Sequence, residues 1–242
     1  MSRSARHVAL SQVGEEGQAR ISASTALIIG LGGLGCASAS YLTSAGVGQL
    51  LLCDFDTVDE TNLGRQTLYG PGDVGQLKAV RAASRLASMN PDVRLTEIPD
   101  RLSDEALAEA VSQADIVLDG CDNFATRFQI NEAVVAQERA LVSGAAIRFE
   151  GQLAVFGPDY WKSPCYRCLY IESDESLDSC AGNGVLAPVP GVIGTMMAVE
   201  TLKILSGIET EYGKLNIYDA LSSDWRKVSI RKRPKCPTCR KD

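Results

Sequence analysis

A run of glycines directly after a short apolar segment is the feature that most restricts the fold of this chain. Residues 26–29 are apolar, and Gly30-Leu-Gly-Gly-Leu-Gly35 follows without a break. Residues 36–45 then carry apolar side chains at helical spacing, and residues 49–53 form a second apolar run that leads into Asp54. Strand, glycine turn, helix and strand in this order predict a βαβ unit of the dinucleotide-binding type.

Strands and helices keep alternating up to about residue 146. Helices are predicted over residues 79–89, 103–111 and 126–139, and strands over residues 93–98, 116–119 and 141–146. This alternation predicts an α/β fold with a Rossmann-like, doubly wound and mostly parallel sheet. Later residues predict a strand over 152–156, a polar loop over 163–189, a helix over 196–205, and antiparallel strands over 215–218 and 227–230. We expect one domain over residues 1–242, with a nucleotide-binding part at about 20–146 and a second part at 147–242.

Composition and charge exclude several classes of function. The chain has 242 residues and a net charge of 24 − 30 = −6, which disfavours a protein that coats nucleic acid. No apolar run reaches the roughly 18–20 residues of a membrane span. Residues 1–20 lack the apolar centre of a signal peptide, so we expect a cytoplasmic protein with neither nucleic acid nor a membrane as partner. His7 is the single histidine, which argues against a Ser-His-Asp triad, a Cys-His pair or a histidine metal site.

Two Cys-x-x-Cys pairs account for half of the eight cysteines. Cys165 and Cys168 form the first pair, and Cys236 and Cys239 form the second, with 236 − 168 − 1 = 67 residues between them. Disulfides are rare in the cytosol, and four thiolates complete the tetrahedral shell of a structural zinc ion. We therefore expect zinc to hold the end of the chain against its middle. A redox dithiol, or two unrelated thiol pairs, is the alternative.

Charged side chains follow the predicted strands at their carboxyl ends. Asp54 comes 54 − 35 = 19 residues after Gly35, where a carboxylate can bind a ribose hydroxyl, and this alone fits an NAD enzyme equally well. Arg65 and Lys78 lie in the following segment, and Asp122 follows the fourth strand. Converging Arg, Lys and Asp side chains suit phosphates and Mg²⁺, which hydride transfer does not need. The competing structural explanations are a surface salt bridge for Arg65 and a helix N-cap for Asp122.

Several short motifs occur in a fixed order over residues 14–239. They are Gly30-Leu-Gly-Gly-Leu-Gly35, Asp54-Phe-Asp56, Asn62-Leu-Gly-Arg65-Gln66, Gly75-Gln-Leu-Lys78, Asp122-Asn123 and the two Cys-x-x-Cys pairs. Together they resemble the ThiF/MoeB/HesA family, the bacterial relatives of ubiquitin-activating enzymes. The resemblance implies a homodimeric enzyme that uses ATP and Mg²⁺ to adenylate the C-terminal glycine of a ubiquitin-like sulfur carrier, with release of pyrophosphate. The carrier would end in Gly-Gly, be ThiS-like or MoaD-like, and serve thiamine or molybdopterin sulfur incorporation, with a cysteine desulfurase as candidate sulfur donor.

The resemblance also assigns roles to individual residues. Arg65 and Lys78 are expected to neutralise phosphate charge, Asp122 to place Mg²⁺ and Asp54 to hold the ribose. Cys180 matches a cysteine that takes up the carrier or its sulfur, with a plain loop thiol as the alternative. The carrier is expected to bind residues 147–242. The other expected ATP contacts are Gly30, Gly32, Gly33, Gly35, Asp56, Thr61, Asn62, Leu63, Gly64, Gln66 and Asn123.

The chain departs from the family pattern at two places. Ala9 occupies the position of an Arg that reaches the partner subunit's ATP in the family, so either Arg3 or Arg6 replaces that contact or the contact is missing. Asp119-Gly-Cys-Asp-Asn123 replaces the usual Asp-Cys-Thr-Asp-Asn. The sequence slightly favours a ThiS-like carrier. An NAD(P)-dependent oxidoreductase and a degenerate nucleotide-binding scaffold are the alternative functions.

Overall fold

One eight-stranded sheet organises the chain, of which the computed structural model describes residues 3–171 and 184–240. The strands are β1 (Thr25–Ile29), β2 (Gln49–Cys53), β3 (Arg94–Ile98), β4 (Ile116–Asp119), β5 (Ala140–Ile147), β6 (Glu150–Phe156), β7 (Lys214–Asp219) and β8 (Asp224–Ser229). Their order is β3-β2-β1-β4-β5-β6-β7-β8. The first five in this order run parallel, and β6, β7 and β8 extend the sheet antiparallel. The predicted α/β class, mostly parallel sheet and antiparallel C-terminal extension are confirmed.

Helices cover both faces of this sheet. They are α1 (Ala5–Val8), α2 (Gly14–Ala23), α3 (Gly33–Ala45), α4 (Lys78–Met89), α5 (Asp104–Ser112), α6 (Phe124–Ala136), α7 (Tyr166–Leu169) and α8 (Pro188–Ser206). Two 3-10 turns, Glu60–Asn62 and Pro71–Asp73, lie between β2 and α4. No helix is predicted before the first strand, so α1 and α2 are not anticipated from the sequence.

The sheet separates two apolar cores because successive side chains of a strand point to opposite faces. On one face, Ile28 and Leu50 pack with α3, α4 and α8. On the other face, Leu27 and Leu51 pack with α5 and α6, and the cysteines of both Cys-x-x-Cys pairs belong to this second core. The second Cys-x-x-Cys pair is therefore part of the packed interior.

The structure differs most from the prediction at α8. The helix predicted over residues 196–205 already begins at Pro188, and the predicted loop over 163–189 contains α7. Pro188 and Pro190 lie in the first turn of α8. Backbone N–H groups in a first turn have no acceptor within the helix, so a proline, which lacks this N–H, is tolerated there. Gly194 permits close contact with α3, since a Cβ there would lie 2.2 Å from the Leu34 carbonyl oxygen. Prolines and glycines that suggest a loop thus belong to a packed helix.

Among the described residues, α8 is also the one helix long and apolar enough to cross a membrane. It has 19 residues, and its most apolar window has a mean hydropathy of 1.3, with half of that window buried. The helix contacts α2, α3, β5 and β6. These contacts and its burial are typical of a core helix. The prediction, which begins this helix at residue 196, does not give its full length.

Candidate active site

A cavity of about 460 Å³ opens at the carboxyl ends of the parallel strands. It lies where the strand order reverses, because β1 pairs with β2 on one side and with β4 on the other. Gly30, Asp54 and Gly120 follow these three strands, and all three residues line the cavity. Open α/β sheets bind their ligands at such a switch point.

The glycine turn forms one wall of this cavity. Gly30 has a φ of 88°, in the left-handed region that favours glycine. A Cβ on Gly35 would lie 2.0 Å from the Gly30 carbonyl oxygen, so Gly35 serves the packing of α3 behind the turn and is not part of the cavity wall. A Cβ on Gly32, by contrast, would fit without a clash, with Gln66 Nε2 as its nearest neighbour at an ordinary contact distance of 3.8 Å. Gly32 and Gly33 thus leave backbone at the start of α3 accessible to an anion.

Asp54 is buried at the end of β2 and is held by backbone donors. Its Oδ2 accepts a hydrogen bond from the Leu31 N–H at 2.7 Å, and its Oδ1 accepts one from the Asp56 N–H at 2.9 Å. Burial raises the pKa of this carboxyl, although the Lys78 ammonium and the two N–H donors oppose the shift. A carboxylate has about four lone-pair sites, so two remain for hydroxyl donors of a ligand.

Two cationic side chains lie at the same end of the cavity. Lys78, buried at the start of α4, forms an ion pair with the exposed Asp56 at 3.1 Å between Nζ and Oδ2. Arg65 is half-buried, and its Nη1 donates to the Thr61 carbonyl at 3.0 Å. Arg65 therefore donates to a backbone carbonyl, and this contact is not the surface salt bridge of the competing explanation. Asn62 lines the cavity beside them.

Not every residue of the predicted loop reaches the cavity. Within the described residues, the wall includes Asn62, Arg65 and Gln66 but not Thr61, Leu63 or Gly64. Thr61 donates to the capping carboxylate of Asp59, and Leu63 packs against the first core. The short helical turn and the residues after it therefore direct only part of the predicted loop toward the cavity.

The side-chain oxygen of Gln66, a residue of the cavity wall, bears on whether the cavity suits a polar ligand. Its side chain is 3% exposed, and its Oε1 has no hydrogen-bond partner among the described residues. A buried amide oxygen without a partner costs free energy, and native proteins rarely leave one unpaired. Gln66 lines the cavity, and Nε2 is its side-chain atom nearest to Gly32, so rotation of the amide would bring Oε1 toward a donor group of a ligand.

Asp122 and Asn123 line the cavity from the loop that follows β4. Asp122 is exposed and lines the cavity. Asn123, and not Asp122, is the N-cap of α6, since its Oδ1 accepts a hydrogen bond from the Thr126 N–H at 2.9 Å. The interpretation of Asp122 as a helix cap is therefore wrong, and its carboxylate is left facing the cavity.

Arg101, Phe55 and Arg127 are among the cavity residues that are not predicted from the sequence. The Arg101 guanidinium lies 4.3 Å from the centroid of the Phe55 ring at the rim. Phe55 lies between Asp54 and Asp56, so the motif itself could have indicated it. Arg127 lies in the wall with 7% of its surface exposed, and no spacing signal in the sequence identifies it.

The four cysteines of the Cys-x-x-Cys pairs converge on one point in the second core. All four sulfurs lie within 4.8 Å of one another, and all four residues are buried. The Sγ atoms of Cys165 and Cys236 are 3.7 Å apart, and those of Cys168 and Cys239 are 3.5 Å apart. These distances exceed the length of a disulfide bond. Four sulfurs at about 2.3 Å from one tetrahedral zinc ion would lie about 3.8 Å apart, so the cluster has the geometry of a zinc shell.

Other predicted residues lie elsewhere. Arg3 donates from Nη1 to the Met89 carbonyl at 3.0 Å, and Arg6 is exposed on α1. Neither lines the cavity of this chain. Cys180 lies outside the described residues.

Comparison with known proteins agrees with this geometry. The model of the ThiF family matches residues 4–238. The chain is 45% identical to the sulfur carrier protein ThiS adenylyltransferase of Escherichia coli (strain K12), over 98% of this chain and 94% of that protein. It is 43% identical to the molybdopterin-synthase adenylyltransferase of the same strain, over 97% of this chain and 94% of that protein.

The fold also occurs in a more distant solved structure. Escherichia coli MccB, crystallised with MccA-N7isoASN, covers 99% of this chain and superimposes with a TM-score of 0.87. The match covers 75% of the MccB chain at 22% identity, so this likeness shows the fold alone. The predicted family and the predicted enzyme class, an adenylyltransferase, are confirmed by the closer relatives. The chain belongs to the ThiF family.

Proposed function

We propose that this protein uses MgATP to adenylate the C-terminal glycine carboxylate of a ubiquitin-like sulfur-carrier protein. One observation carries the proposal. Arg65 and Lys78, from the segment between β2 and the start of α4, and Asp122, from the loop after β4, line the same cavity as the glycine turn. Two cations and a free carboxylate at a nucleotide-type turn suit a triphosphate with its Mg²⁺.

The chemistry needs no general base from the protein. The carrier carboxylate is already ionised at pH 7. One of its oxygens forms a bond to the α-phosphorus, the bond from this phosphorus to the bridging oxygen breaks, and pyrophosphate leaves with that electron pair. Catalysis then consists of positioning and charge neutralisation. This agrees with the place of His7, the single histidine, which bonds to Gln18 on α2 and does not line the cavity.

Four of the cavity residues are assigned a role in this reaction. The two free lone-pair sites of Asp54 would accept the ribose hydroxyls. Lys78 would exchange its ion pair with Asp56 for phosphate oxygens, and Arg65 would turn from the Thr61 carbonyl to the phosphates. Asp122 would hold Mg²⁺, which neutralises phosphate charge when bound.

We propose that the enzyme is a cytosolic homodimer with one carrier per subunit. Tyr41 on α3 and Val199 on α8 are 55% and 43% exposed, and the two helices pack together, so these two side chains are the proposed contacts with a second copy. The carrier would bind the open antiparallel end of the sheet, where Leu221, Trp225 and Val228 are exposed. A cysteine desulfurase is the proposed sulfur donor, and uptake of sulfur or carrier by Cys180 stays a proposal from the sequence.

We also propose that zinc occupies the four-cysteine cluster as a structural metal. Four thiolates leave no coordination position for a substrate. The Lys232 ammonium lies against the cluster: it donates to Cys239 Sγ at 3.1 Å and to the Cys239 carbonyl at 2.7 Å, and it also contacts the Tyr160 and Ser163 carbonyls. A zinc ion with four thiolates carries a net charge of −2, which this cation would partly neutralise.

Replacing Lys232 with methionine is therefore expected to weaken zinc retention. Loss of an outer-shell partner typically lowers metal affinity by about 10-fold to 100-fold. Zinc release into excess chelator, followed with a zinc-sensitive dye, measures the effect. The control is Lys235→Met, because Lys235 is exposed. Equal release rates for the two variants would show that Lys232 does not stabilise the metal.

ATP–pyrophosphate exchange with a panel of Gly-Gly-ended carriers tests the proposed function. We expect exchange with an intact carrier, and none with the same carrier lacking its last glycine. The identities of 45% and 43% to the two bacterial relatives are close, so the carrier that supports exchange names the substrate. Absence of exchange with every carrier, together with a fluorescence change on adding NAD, would favour the oxidoreductase instead. Absence of both would favour a degenerate nucleotide-binding scaffold.

A further inference from the structure

A buried guanidinium lies directly behind the edge of the cavity that carries Asp122. Arg127, in the second turn of α6, reaches back under the loop that follows β4. Its Nη2 donates to the Cys121 carbonyl and, at 2.8 Å, to the Gly144 carbonyl on β5. Its Nη1 donates to Ser143 Oγ at 3.3 Å. One side chain thus ties the loop after β4 to the neighbouring strand.

Asp119 completes the arrangement from the other side. Its carboxylate is 1% exposed and lies 3.5 Å from Arg127 Nη1. Its Oδ1 accepts a hydrogen bond from the Cys121 N–H at 3.0 Å, and its Oδ2 accepts one from Ser143 Oγ at 2.8 Å. The N–H of Cys121 is therefore held by the anion of a buried ion pair, and its C=O is held by the cation. Cys121 directly precedes Asp122 in the chain.

Stability alone does not account for this ion pair. A buried pair loses hydration, and apolar residues of similar size often stabilise a protein as well or better. What the pair supplies is a fixed direction for the backbone on both sides of Cys121. A misplacement of about 1 Å can cost about 100-fold in rate when a site depends on positioned charge.

We infer that Arg127, through its ion pair with Asp119, is a positioning residue that sets the place of the Asp122 carboxylate at the metal and phosphates. The inference rests on the proposed adenylation. It adds that the loop after β4 is held by a buried ion pair and not by Asn123 alone, whose side chain caps α6. Arg127 touches no reacting atom in this scheme and acts through the Cys121 backbone.

Arg127→Lys tests the inference, because lysine keeps the charge but cannot reach both carbonyls with a planar fork. We expect the kcat of pyrophosphate exchange to fall by roughly 10-fold to 100-fold while the KM for ATP stays within about threefold, since only Asp122 is displaced. The Mg²⁺ concentration for half-maximal rate should rise several-fold. A merely structural role would lower the melting temperature without moving this Mg²⁺ dependence.

Two further variants make the test decisive. Arg139→Lys is the matched control, because Arg139 donates to a backbone carbonyl, Ser112 O at 3.3 Å, outside the cavity wall. Ser143→Ala removes a donor to Asp119 and keeps the ion pair, so a smaller shift in the same direction is expected even if Arg127→Lys folds poorly. An unchanged Mg²⁺ dependence in both Arg127→Lys and Ser143→Ala, with normal wild-type exchange, overturns the inference. Absence of exchange in the wild type overturns the proposed function itself.

Discussion

Asp122→Ala is expected to lower ATP–pyrophosphate exchange by about 100-fold to 1000-fold, the usual loss when one preorganised electrostatic group is removed from a reaction centre. The fold should not change, because Asp122 is exposed and the cap of the following helix is supplied by Asn123. The zinc content should also stay at the wild-type level, since the cluster is built by other segments. Exchange assays, thermal unfolding and zinc analysis of the same preparation measure all three properties.

Arg65→Ala is expected to give the same result for the complementary reason, the loss of a cation at the phosphates. Glu109→Ala is the control for both variants, because Glu109 is an exposed acidic residue on α5 outside the cavity wall. Normal exchange in either Asp122→Ala or Arg65→Ala would contradict the role assigned to that residue. A parallel loss in Glu109→Ala would show that the assay reports stability and not the site.

The sequence predicts well those parts of the fold that local sterics decide. Gly30 needs a left-handed φ and Gly35 a close approach to a carbonyl, and both requirements leave a recognisable pattern of glycines. The strands 26–29 and 49–53 are buried on both faces, so they appear as continuous apolar runs. The cysteine cluster is predictable for a chemical reason, since a structural zinc site needs four ligands and two Cys-x-x-Cys pairs supply them wherever they lie in the chain.

The parts that sequence reasoning misses depend on long-range packing. Pro188 starts α8 and does not interrupt it, and close contact with α3 explains Gly194, where a Cβ would lie 2.2 Å from the Leu34 carbonyl oxygen. Within the loop after β2, a motif gives the order of residues but not their direction. Gln66 therefore faces the cavity, whereas Leu63 packs into the core. Arg127 is invisible for the same reason, because its partners Asp119 and Gly144 meet it only in the folded sheet.

The double variant Cys236→Ser, Cys239→Ser is expected to lose its metal and a large part of its stability. Wild-type protein should contain one zinc ion per chain, and the variant none. Loss of a cross-link that closes a long loop costs on the order of 3–5 kcal/mol. For a protein of this length that corresponds to a fall in melting temperature of roughly 6–20 °C. Zinc analysis and thermal unfolding measure the two effects.

The size of this effect follows from the place of the cluster. The 67 residues between Cys168 and Cys236 include α8, β7 and β8, so the metal closes a loop that contains this helix and the last two antiparallel strands. The closed loop loses entropy in the unfolded chain, and the cysteines also fill part of the second core. Cys53→Ala is the control, since Cys53 is a buried cysteine outside the cluster. A double variant that unfolds at the wild-type temperature, or a metal-free wild-type protein of full stability, would rule out a structural zinc and leave a reduced dithiol pair.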